Sequence, residues 1–153
     1  MSVESKLTSD VRWFMQQAGQ ATPDTPAVPT EDVVRLRVSL IAEEFVELLD
    51  ALGCDAEETD NIRYHIMDAI EERDETESDF VEIADALADI DYVVRGTAIA
   101  FGLPADEIAD EVQRSNASKT PFTMAPNGKV KKNESYSKPD IATILRKHGW
   151  DGK

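Results

Sequence analysis

Two segments of this chain, Arg37 to Leu52 and Phe80 to Phe101, repeat apolar residues at the three-and-four spacing of a helix and set carboxylates among them. Nothing in the sequence sustains the alternation of a half-buried strand, so the pattern predicts an all-α chain. Prolines and glycines punctuate it. A first helical pattern runs from about Val3 to Gln17 and stops at Gly19; Pro23, Pro26 and Pro29 then make an extended linker. Thr30, followed by Glu31 and Asp32, starts a second helix that ends near Leu52 and Gly53. A third spans about Ala56 to Arg73. Thr76-Glu-Ser-Asp79 resembles a capping box, with Asp in place of Glu, and opens a fourth helix that reaches Phe101-Gly102. Pro104 suits the first turn of a fifth, which continues to about Ser115. After Lys119 the periodicity ends, Asn127-Gly128 predicts a tight turn with a small hairpin, and Asp140 to Lys147 suit a short last helix. The expected architecture is a bundle of four to five helices with an irregular basic tail. Its 153 residues suit one domain over 1–153, with a helical core at about 3–116 and a tail at about 117–148.

Charge narrows the partners. With 16 Lys and Arg against 31 Asp and Glu the net charge is −15, which opposes binding to nucleic-acid backbone or an anionic membrane. Cys54 is the single cysteine, so neither a disulfide framework nor a multi-thiolate zinc site can form within the chain. The N-terminal residues lack a basic stretch followed by an apolar run, and no segment has the ~18 apolar residues of a spanning helix. A cytoplasmic protein is expected. The acid is unevenly spread: Ile41 to Asp91 holds 19 acidic and two basic residues, whereas Val112 to Lys153 holds nine basic and three acidic ones. That reversal suits an anionic ligand that carries a metal ion; a solvated acidic face with a loose basic tail would look the same by charge alone.

The carboxylates of the two long segments are the sharper signal. On a helical wheel Val33, Leu40, Ile41, Leu48, Ala51 and Leu52 share one arc, and Glu44 and Arg37 fall inside it, with Glu43 and Glu47 at its edge. An unpaired charge there would cost several kcal/mol to desolvate, so Glu44 needs a cation, either Arg37 two turns earlier or a metal ion. In the fourth segment Phe80, Ile83, Leu87, Ile90 and Val94 form a core stripe, and Glu82, Asp85 and Asp89 form a second stripe on the other side. So little polar surface remains between Ala84 and Phe101 that this helix is expected to be buried on most sides. Like charges at Asp85 and Asp89, one turn apart, oppose helix formation slightly, which argues for a use beyond propensity. Two such rows offer hard oxygens suited to Mg²⁺ or Mn²⁺. A di-iron carboxylate bundle would need Glu-x-x-His on two helices. Ile62 and Leu145 stand three residues before the two histidines, His65 and His148, and exclude it.

Four stretches together resemble a known family. Arg37-Val-Ser-Leu-Ile-Ala-Glu43-Glu44-Phe-Val-Glu47-Leu resembles the Arg-x-x-Leu-x-x-Glu-Glu-x-x-Glu signature of the MazG-like all-α nucleoside triphosphate pyrophosphohydrolases. Asp85-Ala-Leu-Ala-Asp89-Ile-Asp-Tyr92 resembles the second metal helix of that superfamily, which includes dimeric dUTPases and phosphoribosyl-ATP pyrophosphohydrolase. Glu111-Val-Gln-Arg114-Ser-Asn116-Ala-Ser-Lys119 resembles its phosphate-contacting segment. Gly128-Lys129-Val-Lys131, with Tyr136 and Pro139-Asp140, resembles the tail of phage-type and small bacterial members. The chain departs in one place: the usual Glu-x-x-Asp would put Glu at position 86, which is Ala86, so Asp85 is expected to supply the missing oxygen, with Glu82 as a further candidate.

The resemblance implies metal-dependent cleavage of a nucleoside triphosphate between its α and β phosphates, giving a monophosphate and pyrophosphate. It implies Glu44, Glu47, Asp85 and Asp89 as ligands of Mg²⁺ or Mn²⁺, Glu43 as the base, and Arg114, Asn116, Lys119, Lys129 and Lys131 on the phosphates, with Lys132 beside them. Trp13, Phe14, Gln17 and Tyr136 could meet the base, although Trp13 and Phe14 could equally serve the core. A homodimer or homotetramer is implied as well. Two alternatives remain. Phosphoribosyl-ATP pyrophosphohydrolase is one, although that family's Tyr-His step is Tyr92-Val93 here and the tail is longer. A non-catalytic dimeric helical interaction module is the other.

Overall fold

The computed structural model describes residues 4–152. Its order is α1 (Lys6–Gln17), α2 (Glu31–Ala51), α3 (Ala56–Glu72), a 3-10 turn (Glu75–Glu77), α4 (Phe80–Ala100), α5 (Ala105–Ala117) and α6 (Ile141–Lys147). Among the described residues extended pairing is limited to one isolated antiparallel bridge, Met124 with Val130, so the all-α expectation holds. Val3, where the periodicity starts the first helix, lies outside the described residues; within them Ser5 caps α1 by accepting from the Thr8 N–H at 3.2 Å. The chain divides into two compact units, Pro26–Phe80 and the residues on either side of it.

The unit Pro26–Phe80 is built on an antiparallel pair, α2 on α3. The connection between them is short and chemically specified. Gly53 takes φ 85°, a left-handed conformation open to glycine at little cost, and Asp55 caps α3 by accepting from the Glu57 and Glu58 N–H groups at 3.0 and 3.3 Å. Thr59 is buried and donates its hydroxyl to Asp50 at 2.7 Å, which pins the first turn of α3 to the last turn of α2. At the other end Arg73 pairs with Glu31 and donates to Ser78 at 3.3 Å.

This short connection decides which face of α2 is packed. The buried side chains are Ala42 and Val46, on the opposite side of the helix from the predicted arc, while Ile41, Leu48 and Leu52 of that arc are exposed. The arc read from the wheel is therefore not the packed one: the tight turn with its Asp50–Thr59 bond presents the opposite face, where Ala42 permits close approach. The fourth helix departs from expectation in two respects. Thr76 is not its cap: Asp74 accepts both the Thr76 N–H at 2.9 Å and its hydroxyl at 2.7 Å, closing the 3-10 turn instead. Nor is α4 buried. Leu87 is 52% exposed, Ile99 76% and Tyr92 79%, and within its own unit α4 packs against none of α1, α5 or α6.

In the second unit α5 packs against both α1 and α6. Lys6 bridges Asp10 on its own helix (2.6 Å) and Asp110 on α5 (2.7 Å). Asp140 caps α6 by accepting from the Thr143 N–H at 3.1 Å, and Lys147 and His148 at its end both reach Glu107 on α5, at 2.6 and 2.8 Å.

Val46, at 0% exposure, anchors the α2–α3 pair. Val46→Ala removes two buried methyl groups and leaves a cavity, so unfolding in urea at fixed protein concentration should show a loss of about 2 kcal/mol. Leu52→Ala, at an exposed position in the same unit, should cost far less in the same measurement.

Candidate functional site

The acidic rows lie on helices of different units. On α2, Glu43 is half-buried while Glu44 and Glu47 are exposed. Burial lowers the pKa of Arg37, on the same helix, because the charged guanidinium is partly desolvated. On α4, Glu82, Asp85 and Asp89 are all exposed and follow one face at intervals of three and four residues. Asp91, by contrast, is committed to Arg95 at 3.2 Å, and Arg95 also approaches Asp106 at 3.6 Å. Among the described residues Glu47, Asp85 and Asp89 make no side-chain hydrogen bond or ion pair. Their chemistry suits a hard divalent cation: bare carboxylates at one-turn spacing, with no sulfur or imidazole among them. No group of three or more His, Cys, Asp or Glu among the described residues is gathered to hold a metal ion.

A cluster of cations and aromatic rings is assembled within the second unit. The Lys119 ammonium donates to Asn116 Oδ1 at 2.8 Å and lies 5.8 Å from the Phe14 ring centre and 5.9 Å from that of Tyr136. Lys132 approaches the same Tyr136 ring at 4.9 Å. Ammonium groups within about 6 Å of aromatic faces are held by the ring quadrupole, which keeps their charge localised. Phe122 completes the cluster, edge-on to Phe14 at 5.0 Å and to Trp13 at 6.3 Å. Four predicted residues, Phe14, Asn116, Lys119 and Tyr136, therefore meet here. Trp13 joins through Phe122, while Gln17 is exposed one turn beyond on α1. Phe122 was not singled out from the sequence, because an aromatic in an aperiodic stretch has no face to belong to.

Lys129 and Lys131 are carried on the predicted hairpin. The Ala125 N–H donates to the Lys129 carbonyl at 2.7 Å, the Lys131 N–H to Thr123 at 2.8 Å, and Gly128 makes the turn at φ 81°. Gln20, just after α1, donates to the Gly128 carbonyl at 3.3 Å and ties the hairpin tip to that helix.

Arg114 is placed differently from the lysines. Its Nε and Nη2 donate to the two oxygens of Glu111, each at 2.8 Å, in a bidentate pair. Nη1 donates to the Ser137 hydroxyl at 3.0 Å, and Nη2 also reaches the Ser137 and Lys138 carbonyls at 3.4 and 3.0 Å. Glu111 further accepts the Asp140 N–H at 2.8 Å. With the Arg114 fork first and the Asp140 amide second, the Glu111 carboxyl is held down to about 2.

A depressed carboxylate supports the folded state above its ordinary pKa, and the support is lost as pH falls toward the folded value. For Glu111 that window runs from about 4.5 down to about 2. The Arg114 ¹⁵Nε resonance should therefore titrate with a midpoint near 2, and Glu111→Gln should abolish that transition.

Among the described residues no helix is long and apolar enough to cross a membrane. The family model for phosphoribosyl-ATP pyrophosphohydrolase matches residues 11–116. A crystal structure from Exiguobacterium sp. 255-15, described provisionally as an NTP pyrophosphohydrolase, superposes with a TM-score of 0.71 at 21% identity, covering 95% of this chain and 97% of that one. Comparison with curated protein sequences returns no match. The structural likeness speaks for the fold and extends through the tail. The family match takes in the Glu43-Glu44-x-x-Glu47 run, the α4 carboxylates and Asn116. On that match, this chain belongs to the phosphoribosyl-ATP pyrophosphohydrolase family, among the MazG-like all-α pyrophosphohydrolases.

Proposed function

We propose that the protein hydrolyses a nucleoside or deoxynucleoside triphosphate between the α and β phosphates, releasing the monophosphate and pyrophosphate as a nucleotide-pool house-cleaning enzyme. The observation that supports this most directly is Lys119, fixed by Asn116 and set between Phe14 and Tyr136, in a chain of a pyrophosphohydrolase family. A localised cation beside aromatic faces can meet a phosphate and a base together.

Glu44, Glu47, Asp85 and Asp89, with Glu82 in reserve, would hold Mg²⁺ or Mn²⁺, which would offset phosphate charge and make water more acidic. Glu43, half-buried beside these ligands on α2, takes the proton of the attacking water. The water oxygen bonds to phosphorus, the bond to the α–β bridging oxygen breaks, and its electron pair leaves on the departing phosphate. Lys119 and Asn116 hold non-bridging oxygens, and Lys129, Lys131 and Lys132 close from the tail. The base contact falls to Tyr136, with Phe14, Trp13 and Gln17 of α1 as the further candidates.

The protein works as a homodimer or homotetramer. The apolar side chains of α4, Leu87, Ile90, Val94 and Ile99 among them, are bare in the single chain, and a second copy supplies their cover.

A second reading is phosphoribosyl-ATP as substrate, which the matched family model favours by its description. A panel of nucleoside triphosphates, deoxynucleoside triphosphates and phosphoribosyl-ATP, with Mg²⁺ or with EDTA, distinguishes the two by which member releases pyrophosphate. Release from no member would leave a non-catalytic helical module. Glu44→Gln should lower turnover by about 100-fold or more with the unfolding midpoint unchanged, and near-normal turnover would remove Glu44 from the site. For the assembly, Leu87→Asp should reduce the mass measured by light scattering to that of a smaller species.

A further inference from the structure

We infer that Arg114 and Glu111 form a positioning clamp that holds Tyr136 and Lys132 against Lys119, and that Arg114 is not itself a phosphate ligand. The inference rests on the proposed reading of Lys119 and Tyr136 as nucleotide contacts. Its basis is where the donors of Arg114 point. The guanidinium spends Nε and Nη2 on Glu111, Nη1 on the Ser137 hydroxyl, and Nη2 again on the Lys138 carbonyl, at 2.8 to 3.0 Å. A fork engaged on both edges cannot also grip a phosphate in bidentate fashion without releasing the tail.

The tail segment is pinned on both sides of Tyr136. Before it, the Asn133 amide donates to the carbonyls of Lys119 (2.6 Å) and Pro121 (3.2 Å). After it, the Ser137 N–H donates to the Ser118 hydroxyl at 2.7 Å, while Arg114 takes the Ser137 and Lys138 carbonyls and Glu111 takes the Asp140 N–H. Tyr136 thus sits between two anchors, and both lead back to the end of α5 and the residues just beyond it. Asn116 and Lys119 lie within the same short stretch as Arg114 and Ser118. The clamp therefore fixes the geometry between a cation on α5's end and an aromatic ring and a second cation on the tail.

The two possible roles of Arg114 predict opposite behaviour for its partner. If Arg114 were a direct ligand, Glu111→Gln would free the guanidinium, leaving phosphate affinity unchanged or improved. As a clamp, the pair fails together. Glu111→Gln and Arg114→Gln should each raise KM about tenfold with kcat within about twofold, for the nucleotide turned over fastest in the panel. The double variant should be no worse than either single one. Affinity for inorganic tripolyphosphate with Mg²⁺, by calorimetry, should fall in parallel. Hydrogen exchange at the Ser137 and Asp140 amides, measured without any ligand, should quicken in both variants. A Glu111→Gln enzyme that binds as well as wild type or better while Arg114→Gln is impaired overturns the clamp, as does unchanged exchange at both amides. Absence of turnover and of tripolyphosphate uptake in the wild type would instead defeat the proposed function, and the exchange measurement would still decide whether the clamp exists.

Discussion

An amphipathic helix can satisfy only as much apolar surface as its neighbours cover, and that constraint governs this chain. α2 carries two apolar faces, and α3 takes one of them, through Ala42 and Val46. α4 carries Leu87, Ile90, Val94 and Ile99 into solvent and finds no helix in its own unit. Hydrophobic burial contributes in proportion to area removed from water, so uncovered faces of this extent are a demand on further surface. The uncovered helices are also the ones that bear the acidic rows.

The second unit solves a different problem: how to order a tail that has no periodicity. Residues 118–140 lack a continuous apolar face and bury little, so polar bonds hold them. Ser118, Asn133, Arg114 and Glu111 supply side-chain partners for backbone groups that no helix or sheet would satisfy. Charge-assisted bonds dominate the set, which is why one carboxyl in it, Glu111, is drawn so far from its usual range. The consequence is a tail whose lysines and tyrosine have fixed places relative to α5.

Among the described residues Glu47 on α2 and Asp85 and Asp89 on α4 are exposed carboxylates that make no side-chain hydrogen bond or ion pair, while cations are steadied by rings and amides just beyond α5 and along the tail. Ion pairs elsewhere, such as Lys6 with Asp110 and Lys147 with Glu107, are spent on holding helices together.

The order of the helices and most of their ends were legible in the sequence, because periodicity, proline and glycine act locally; the start of α4 was not. So was the family, since the carboxylate run, the Asp85–Asp89 pair and the Arg114-x-Asn116 step are contiguous patterns. The wheel singled out the arc of Ile41, Leu48 and Leu52 on α2, but the packed face carries Ala42 and Val46; the four-residue connection and the Asp50–Thr59 bond set that choice, and neither is visible in the periodicity of one helix. The sequence could not show that Asp74 would claim Thr76, or that α4 would lack cover within its own unit, since neither competition nor burial is written in one segment. Nor could it separate Arg114 from Lys119. Both are basic residues in one motif, and only their surroundings differ, a fork paired with Glu111 and the tail for one and an aromatic-flanked ammonium for the other.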